Sequence, residues 1–415
     1  GWSADRRMLG RVSAAVHAWN TIADLGGAML NSFGDAAGVV FRYAFMNVLR
    51  DGWIPFFSGL VGRSKVYGAA KRQARATGVA IETELNIRAH QLNDLIEGYR
   101  PDTRFERALQ WGANRSQLVN FQGPWTDAVK TIAYSVASSE HLRMIRRVVE
   151  GRASKRDITM LAENNIDAAM AERIWKAFNE EGGGEVVDGV RLPNTGAWQD
   201  RGAALAFEAA MGKEADALVV TPGLERPLWM SDPVWSLLGQ FKSFIAAANE
   251  RLLIANLQRA DAAALQGLIF SVALGMLSYR AYTWAAGQDA SDRPQDWIKE
   301  GLSRSGVMGW FDEVNSLTAK ATRGQLDAFR LIGADRPLSR YASRSVLSAL
   351  LGPTAGKIEK VSQVTGAAAT GEWTASDTTA LRRLMFFQNL FWIRRLLDQV
   401  EDGVNNAFGI PDRVR

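Results

Sequence analysis

Lys357 follows Gly352-Pro-Thr-Ala-Gly356, and a lysine behind closely spaced glycines is the material of a phosphate-cradling loop. Backbone amides would wrap the anion and the ammonium would neutralise it. The spacing argues against that use. Four residues must separate the glycines, and Ser or Thr must follow the lysine. Here three separate them, Ile358 follows, and no strand leads in, so the segment reads as a turn between helices.

Paired carboxylates are the next candidates. Glu82 and Glu84 stand two apart, a spacing that puts them on different helix faces. Glu180 and Glu181 fall in a glycine-rich stretch. Hydrolysis of a sugar chain needs two acids flanking a cleft, and neither pair offers one. His17, His90 and His141 are far apart with no ligand spacing. Cysteine is absent, which removes disulfides, thiolate metal sites and thiol nucleophiles together. No nucleophile elbow, zincin motif or dinucleotide fingerprint occurs. No cofactor or metal is expected. The chain reads as non-enzymatic, with a site assembled from scattered acids such as Glu163 and Glu172 as a third-ranked reading.

Charge gives a weak pointer to partners. Lys+Arg 49 against Asp+Glu 44 leaves +5, too little for a dedicated DNA binder. Arg63, Lys65, Lys71, Arg72 and Arg75 form one basic cluster, and Arg143–Arg156 holds another. Either could touch DNA or anionic lipid; solvated helix faces are the plainer reading.

The elements that position these residues are helices. At 415 residues the chain exceeds one ordinary core, so several packed subdomains are expected. The pattern predicts an all-α fold with one small β-hairpin near residues 186–192, where Asp188-Gly189 separates β-branched residues. Helices are predicted over the first 25 residues, Ala36–Leu49, Val79–Leu95, Arg104–Trp111, Trp125–Val149, Asp157–Asn179 and Ala203–Ala217. Further helices are predicted over Val234–Leu238 continuing through Gln240–Ala264, then Asp296–Ser305, Trp310–Ala321, Gly324–Leu331, Arg340–Leu351 and Thr378–Val400. Gly52–Gly62 reads as a loop, and Glu180–Gly184 and Gly366–Trp373 as linkers. Four regions follow: 1–179, helical; 180–232, linker with hairpin; 233–290, a long helix with an apolar run; and 291–415, helical. The start at Gly1 reads as a segment of a longer polypeptide.

Ala262–Tyr279 is uncharged over about the length that spans a bilayer. It either crosses a membrane or forms the buried spine of a helical protein. Gly267, Ser271 and Gly275 recur every four residues and invite close helix approach in both cases. Tyr279 and Trp284 suit an interfacial belt or a packed helix end. In the C-terminal helix Met385, Trp392, Ile393, Leu396, Leu397 and Val400 share one face, while Leu384, Phe387 and Phe391 project toward the charged side. Two neighbours are therefore needed, and Phe387, Phe391 and Trp392 are candidate oligomer contacts. A central core helix, a subunit contact or a lipid-surface helix would each supply them.

Several stretches resemble one family in order along the chain. They are Pro227-Leu-Trp-Met-Ser-Asp-Pro-Val, Leu238-Gly-Gln-Phe-Lys-Ser-Phe-Ile, Leu302-Ser-Arg-Ser-Gly-Val-Met-Gly-Trp-Phe-Asp-Glu-Val-Asn, Ala342-Ser-Arg-Ser-Val-Leu-Ser-Ala-Leu-Leu-Gly-Pro and Gln388-Asn-Leu-Phe-Trp-Ile-Arg-Arg-Leu-Leu-Asp. Leu25-Gly-Gly-Ala-Met-Leu-Asn-Ser-Phe-Gly-Asp is a fainter echo. They are similar to the C-terminal regions of the large internal virion, or ejection, proteins of short-tailed phages. The resemblance implies a virion-interior protein that leaves ahead of the genome and enters the host periplasm and inner membrane. It implies other internal virion proteins and the portal as partners, a homo-oligomeric ring, and double-stranded DNA passing through a conduit. The alternative is a capsid-core or scaffold protein that never meets a membrane.

Overall fold

A computed structural model describes residues 4–80, 103–219, 261–322, 325–334 and 352–410. The chain is all-α with one two-stranded antiparallel hairpin. The described helices are α1 (Ala4–Asp24), α2 (Gly38–Tyr43), α3 (Ile54–Leu60), α4 (Val66–Ala76), α5 (Arg104–Val119), α6 (Gln122–Val149), α7 (Lys155–Ala162) and α8 (Ala168–Asn179). Strands β1 (Gly184–Val187) and β2 (Val190–Pro193) follow. Then come α9 (Arg201–Leu218), α10 (Ala262–Ala285), α11 (Pro294–Arg304), α12 (Gly309–Ala321), α13 (Gly352–Thr370), α14 (Ala375–Leu384) and α15 (Arg394–Ala407). Single turns at Ala28–Asn31 and Phe45–Val48 connect the early helices.

The centre is α6. It is apolar or small nearly all round, with Val129, Ile132, Tyr134, Val136, Leu142 and Ile145 buried, so neighbours enclose it. One apolar core runs from Ala36 to Val219 and joins the expected 1–179 region to Trp198–Val219 of the expected 180–232 region. The hairpin forms as expected. Asp188 and Gly189 both have positive φ, 53° and 79°, as a two-residue turn with the twist of the strands demands. Val187 pairs with Val190, and Val190 and Leu192 bury themselves on Val66 and Ala70 of α4.

Several boundaries differ from the sequence reading. The expected loop 52–62 is largely α3, with Pro55 in the first turn where its missing N–H costs nothing. Gly52 serves packing: a Cβ there would stand 2.6 Å from Cγ2 of Ile132. The expected helix 157–179 is two helices. Ser154, not Asp157, caps α7, with Asp157 returning the bond as a capping box, and Asp167 caps α8. Helix 36–49 breaks at Ala44, which has φ 64°. The expected linker at 180–184 is an ordered turn, where Gly183 accepts from the Trp198 indole at 2.6 Å. Gly352–Lys357, read as a turn, begins α13, which runs through most of the expected small-residue linker until Gly371 at φ 75° stops it. Helix 324–331 is reduced to a 3-10 turn, Ala328–Ile332.

The C-terminal helix is the largest correction. Thr378–Val400 is not continuous: α14 ends at Leu384, irregular turns follow, and α15 starts at Arg394. The reason lies far away in sequence. The Phe387 amide donates to the Ile22 carbonyl at 3.1 Å, Gln388 donates to Ala23 O at 3.1 Å, and the Trp19 indole donates to Leu384 O at 3.0 Å. The Phe387 amide and the Leu384 carbonyl are backbone groups that a helix would have used internally, and the Gln388 side chain adds a third tie to the end of α1. Of the helix expected over 79–95, Val79 and Ala80 are non-helical and 81–95 lie outside the described residues. Of that expected over 234–264, 234–260 lie outside them and Asp261 caps a new helix; 340–351 lie outside them entirely.

Candidate functional site

Helix α10 has its polarity turned inside out. Asp261 caps it, accepting from the Ala264 amide at 2.9 Å, and it continues for 24 residues, roughly 36 Å at 1.5 Å each. Its buried residues are small or hydroxylated: Gly267, Ser271, Gly275, Ser278 and Thr283, with Tyr279. Its exposed face carries Leu265 at 59%, Ile269 at 62%, Leu277 at 54% and Trp284 at 60% exposure. A water-facing helix of a soluble protein would present the reverse arrangement.

The small residues serve the chain's own packing. A Cβ on Gly267 would stand 2.4 Å from the Phe41 ring, so α2 lies directly against it. A Cβ on Gly275 would stand 2.1 Å from the carbonyl oxygen of Gly301, so α11 does the same one turn pair further on. The Ser271 hydroxyl satisfies itself on Leu268 O at 2.8 Å. Tyr279 packs edge-on to Trp297 at 5.4 Å, and its hydroxyl accepts from the Ser291 amide at 3.0 Å. Trp284 stands outside this packing, exposed.

The inversion continues through the neighbouring helices. Beneath α10, Lys299 pairs with Asp327 at 2.7 Å and Arg304 with Glu300 at 3.1 Å, all four buried or nearly so. Ser303 donates to Asp312 at 2.7 Å, and Asn315 donates to Asp327 at 2.9 Å. On α12, Phe311 and Val314 point outward while Asp312 and Asn315 are buried. On α15, Leu396, Val400 and Val404 are exposed while Asn405 is buried. Asp398 and Glu401 of the same helix turn toward Arg382 of α14, at 3.1 and 2.5 Å.

The residues expected to make subunit contacts sit against the chain's own N-terminal half. Phe387, at φ 59°, packs on the cluster of Ala18, Ile22, Leu109 and Ala113. Phe391 lies 6.2 Å from the Phe121 ring, and the Trp392 indole donates to Val119 O at 3.1 Å while half its surface stays exposed. In the first basic cluster, Arg63, Lys65 and Arg72 are exposed, and Lys71 and Arg75 are half-buried. Helix α4 buries Val66, Ala70 and Ala74, so these cations are carried around its other faces. The second cluster is largely paired: Arg143 with Asp51 and Glu140, Arg146 with Glu150, Arg147 with Asp157, and Arg156 with Asp261.

Sequence reasoning missed a buried polar network between α2, α6 and α9. Arg42 holds Glu214 through two hydrogen bonds, 2.6 and 3.1 Å, and reaches Glu163 at 2.8 Å. Tyr43 donates to Glu214 at 2.8 Å, and Asn164 donates to it at 2.7 Å and to His141 Nε2 at 3.2 Å. His141 Nδ1 donates to Ala137 O at 2.9 Å. Burial alone would raise the Glu214 carboxyl, but neighbouring positive charge and the Arg42 and Asn164 hydrogen bonds hold it at about 2. Burial lowers His141 and raises Tyr43. Each group is turned onto another member, so the network ties elements together. It spends Glu163 on Arg42, while Glu172 is exposed on α8. Lys357, the phosphate-loop candidate, is buried against Asp24 at 3.3 Å. Among the described residues no group of three or more His, Asp or Glu could hold a metal ion. Glu82, Glu84 and His90 lie outside them.

Comparison with known protein families, with characterised proteins and with solved structures finds no match to this chain.

Proposed function

We propose that this chain is an internal virion protein of the ejection class, and that it lines or anchors an oligomeric conduit for genome delivery across the host envelope. The observation that carries the reading is the inverted polarity of α10. Burying Gly267, Ser271 and Gly275 while exposing Leu265, Ile269 and Leu277 costs free energy in water, about 25 cal/mol for each Å2 of apolar surface left exposed. The cost vanishes against hydrocarbon. The stripe has a length that suits a bilayer, and the face behind it is already packed on α2 and α11. The family resemblance of residues 302–315 and 388–398 supports the same reading. A second reading, a virion-core protein without membrane contact, draws support from that packed face, because a neighbouring subunit could cover the stripe as well as lipid.

Vesicle flotation of the chain beside an Ile269→Lys/Leu277→Lys variant separates the two. The conduit reading expects the wild type to float and the variant to stay at the bottom. If neither floats and the variant lowers the oligomer mass seen by light scattering, the virion-core reading replaces it.

A further inference from the structure

Helix α15 begins where the exposed stripe of α10 ends. The Arg394 guanidinium lies 5.2 Å from the Tyr282 ring centre, and Arg395 Nε lies 3.7 Å from where a Cβ on Gly287 would stand. Tyr282 is in the last turn of α10 and Gly287 lies just past its end, and the same last turns carry exposed Arg280 and Trp284. Among the described residues Arg280, Arg394 and Arg395 have no carboxylate partner. Arg280 and Arg395 are thus exposed at the level of Trp284, and Arg394 is half-buried there against Tyr282. Away from this point, α15 exposes Leu396, Val400 and Val404 at four-residue spacing, continued by Phe408 at its C-cap. Its inward face is occupied by the pairs of Arg382 with Asp398 and Glu401. The apolar side is therefore free of the chain's own core, and its cationic end is fixed at one level of α10.

Resting on the membrane reading of α10, we propose that α15 is an interfacial helix lying on an anionic bilayer surface. Arg280, Arg394 and Arg395 meet phosphate headgroups, while Leu396, Val400, Val404 and Phe408 sink into the acyl boundary. Two features favour lipid as the occupant. The cations sit at one end of an apolar helix of bilayer length, as headgroups do, and Trp284 in the same last turn of α10 is the residue type that settles at that depth. A short helix with an outward apolar stripe and flanking arginines matches an in-plane binder.

The test measures partition of the full chain onto vesicles of phosphatidylcholine alone and of phosphatidylcholine with phosphatidylglycerol. It compares the wild type with Arg394→Gln/Arg395→Gln and with Val400→Asn/Val404→Asn. Wild type should prefer the anionic vesicles. The arginine variant should lose about 30-fold on them, from about 1 kcal/mol for each charge, and nothing on neutral ones. The valine variant should bind both more weakly, with unchanged far-ultraviolet circular dichroism. Equal wild-type binding to both vesicle types would overturn the proposal. So would a valine variant that changes oligomer mass but not partition, which would make the stripe a contact with a second copy. Failure of the α10 reading shows separately, as Ile269→Lys/Leu277→Lys leaving partition onto neutral vesicles unchanged.

Discussion

Gly275 and Gly301 meet backbone to backbone: a Cβ on Gly275 would stand 2.1 Å from the Gly301 carbonyl oxygen. The contact joins α10 to α11 inside one chain. A residue whose spacing invites close helix approach thus meets its neighbour within its own chain.

Gly275→Ala should therefore destabilise the monomer. Forcing a methyl into this contact costs about 1–3 kcal/mol, read as a lower urea midpoint with unchanged slope. An unaltered midpoint together with a lost oligomer would overturn this and make the face a contact between chains.

The C-terminal segment depends on Gly26 in the same way. A Cβ there would stand 2.2 Å from the Asn389 carbonyl carbon, with Leu390 N at 2.3 Å. Gly26→Ala should lift residues 385–393 from the end of α1. Hydrogen exchange at the Phe387 amide should accelerate while α6 amides keep their protection. Unchanged exchange at Phe387 would show that the segment is held elsewhere.

Acid should attack the Arg42–Glu214 pair. The Glu214 carboxyl is held at about 2 against an ordinary value of 4.5, so its stabilisation is complete above 4.5 and is lost as pH falls toward 2. Glu214→Gln should flatten the stability curve across that window. It should also cost about 3–5 kcal/mol near neutrality, because Arg42 is left buried without its main partner. A variant curve parallel to the wild type between pH 4.5 and 2 would refute this.

Ala44 sits at φ 64° and ψ 151°, a region that suits glycine alone. Ala44→Gly should raise stability by about 1 kcal/mol, the relief of strain exceeding the added chain entropy. A fall in Tm would mean that the Ala44 methyl contributes more to packing than its backbone costs.

What was legible in the sequence was local. Asp188-Gly189 specifies its own turn, and the uncharged run after Asp261 specifies a helix wherever it lies. The face shared by Gly267, Ser271 and Gly275 was readable from spacing. Which neighbour it met was not, because Phe41 and Gly301 lie far away in the chain. The break after Leu384 was hidden for the same reason: its cause is the carbonyls of Ile22 and Ala23. The Arg42–Glu214 pair spans 172 positions, and neither residue stands in a pattern that names the other. The arginines 143–156 looked like a patch because sequence shows charges and hides the acids that meet them from other helices.

The bonds from residues 384–388 to the end of α1 also set an order of mechanical failure. A load applied near residue 410 reaches α15 and then this clamp before it reaches the core between Ala36 and Val219. Each step releases a few polar contacts, so the chain should yield as a series of small ruptures. Optical-tweezer traces from that side should show several low steps followed by one high one. Pulling from that side would thus strip α15 and the clamp before any load falls on the core.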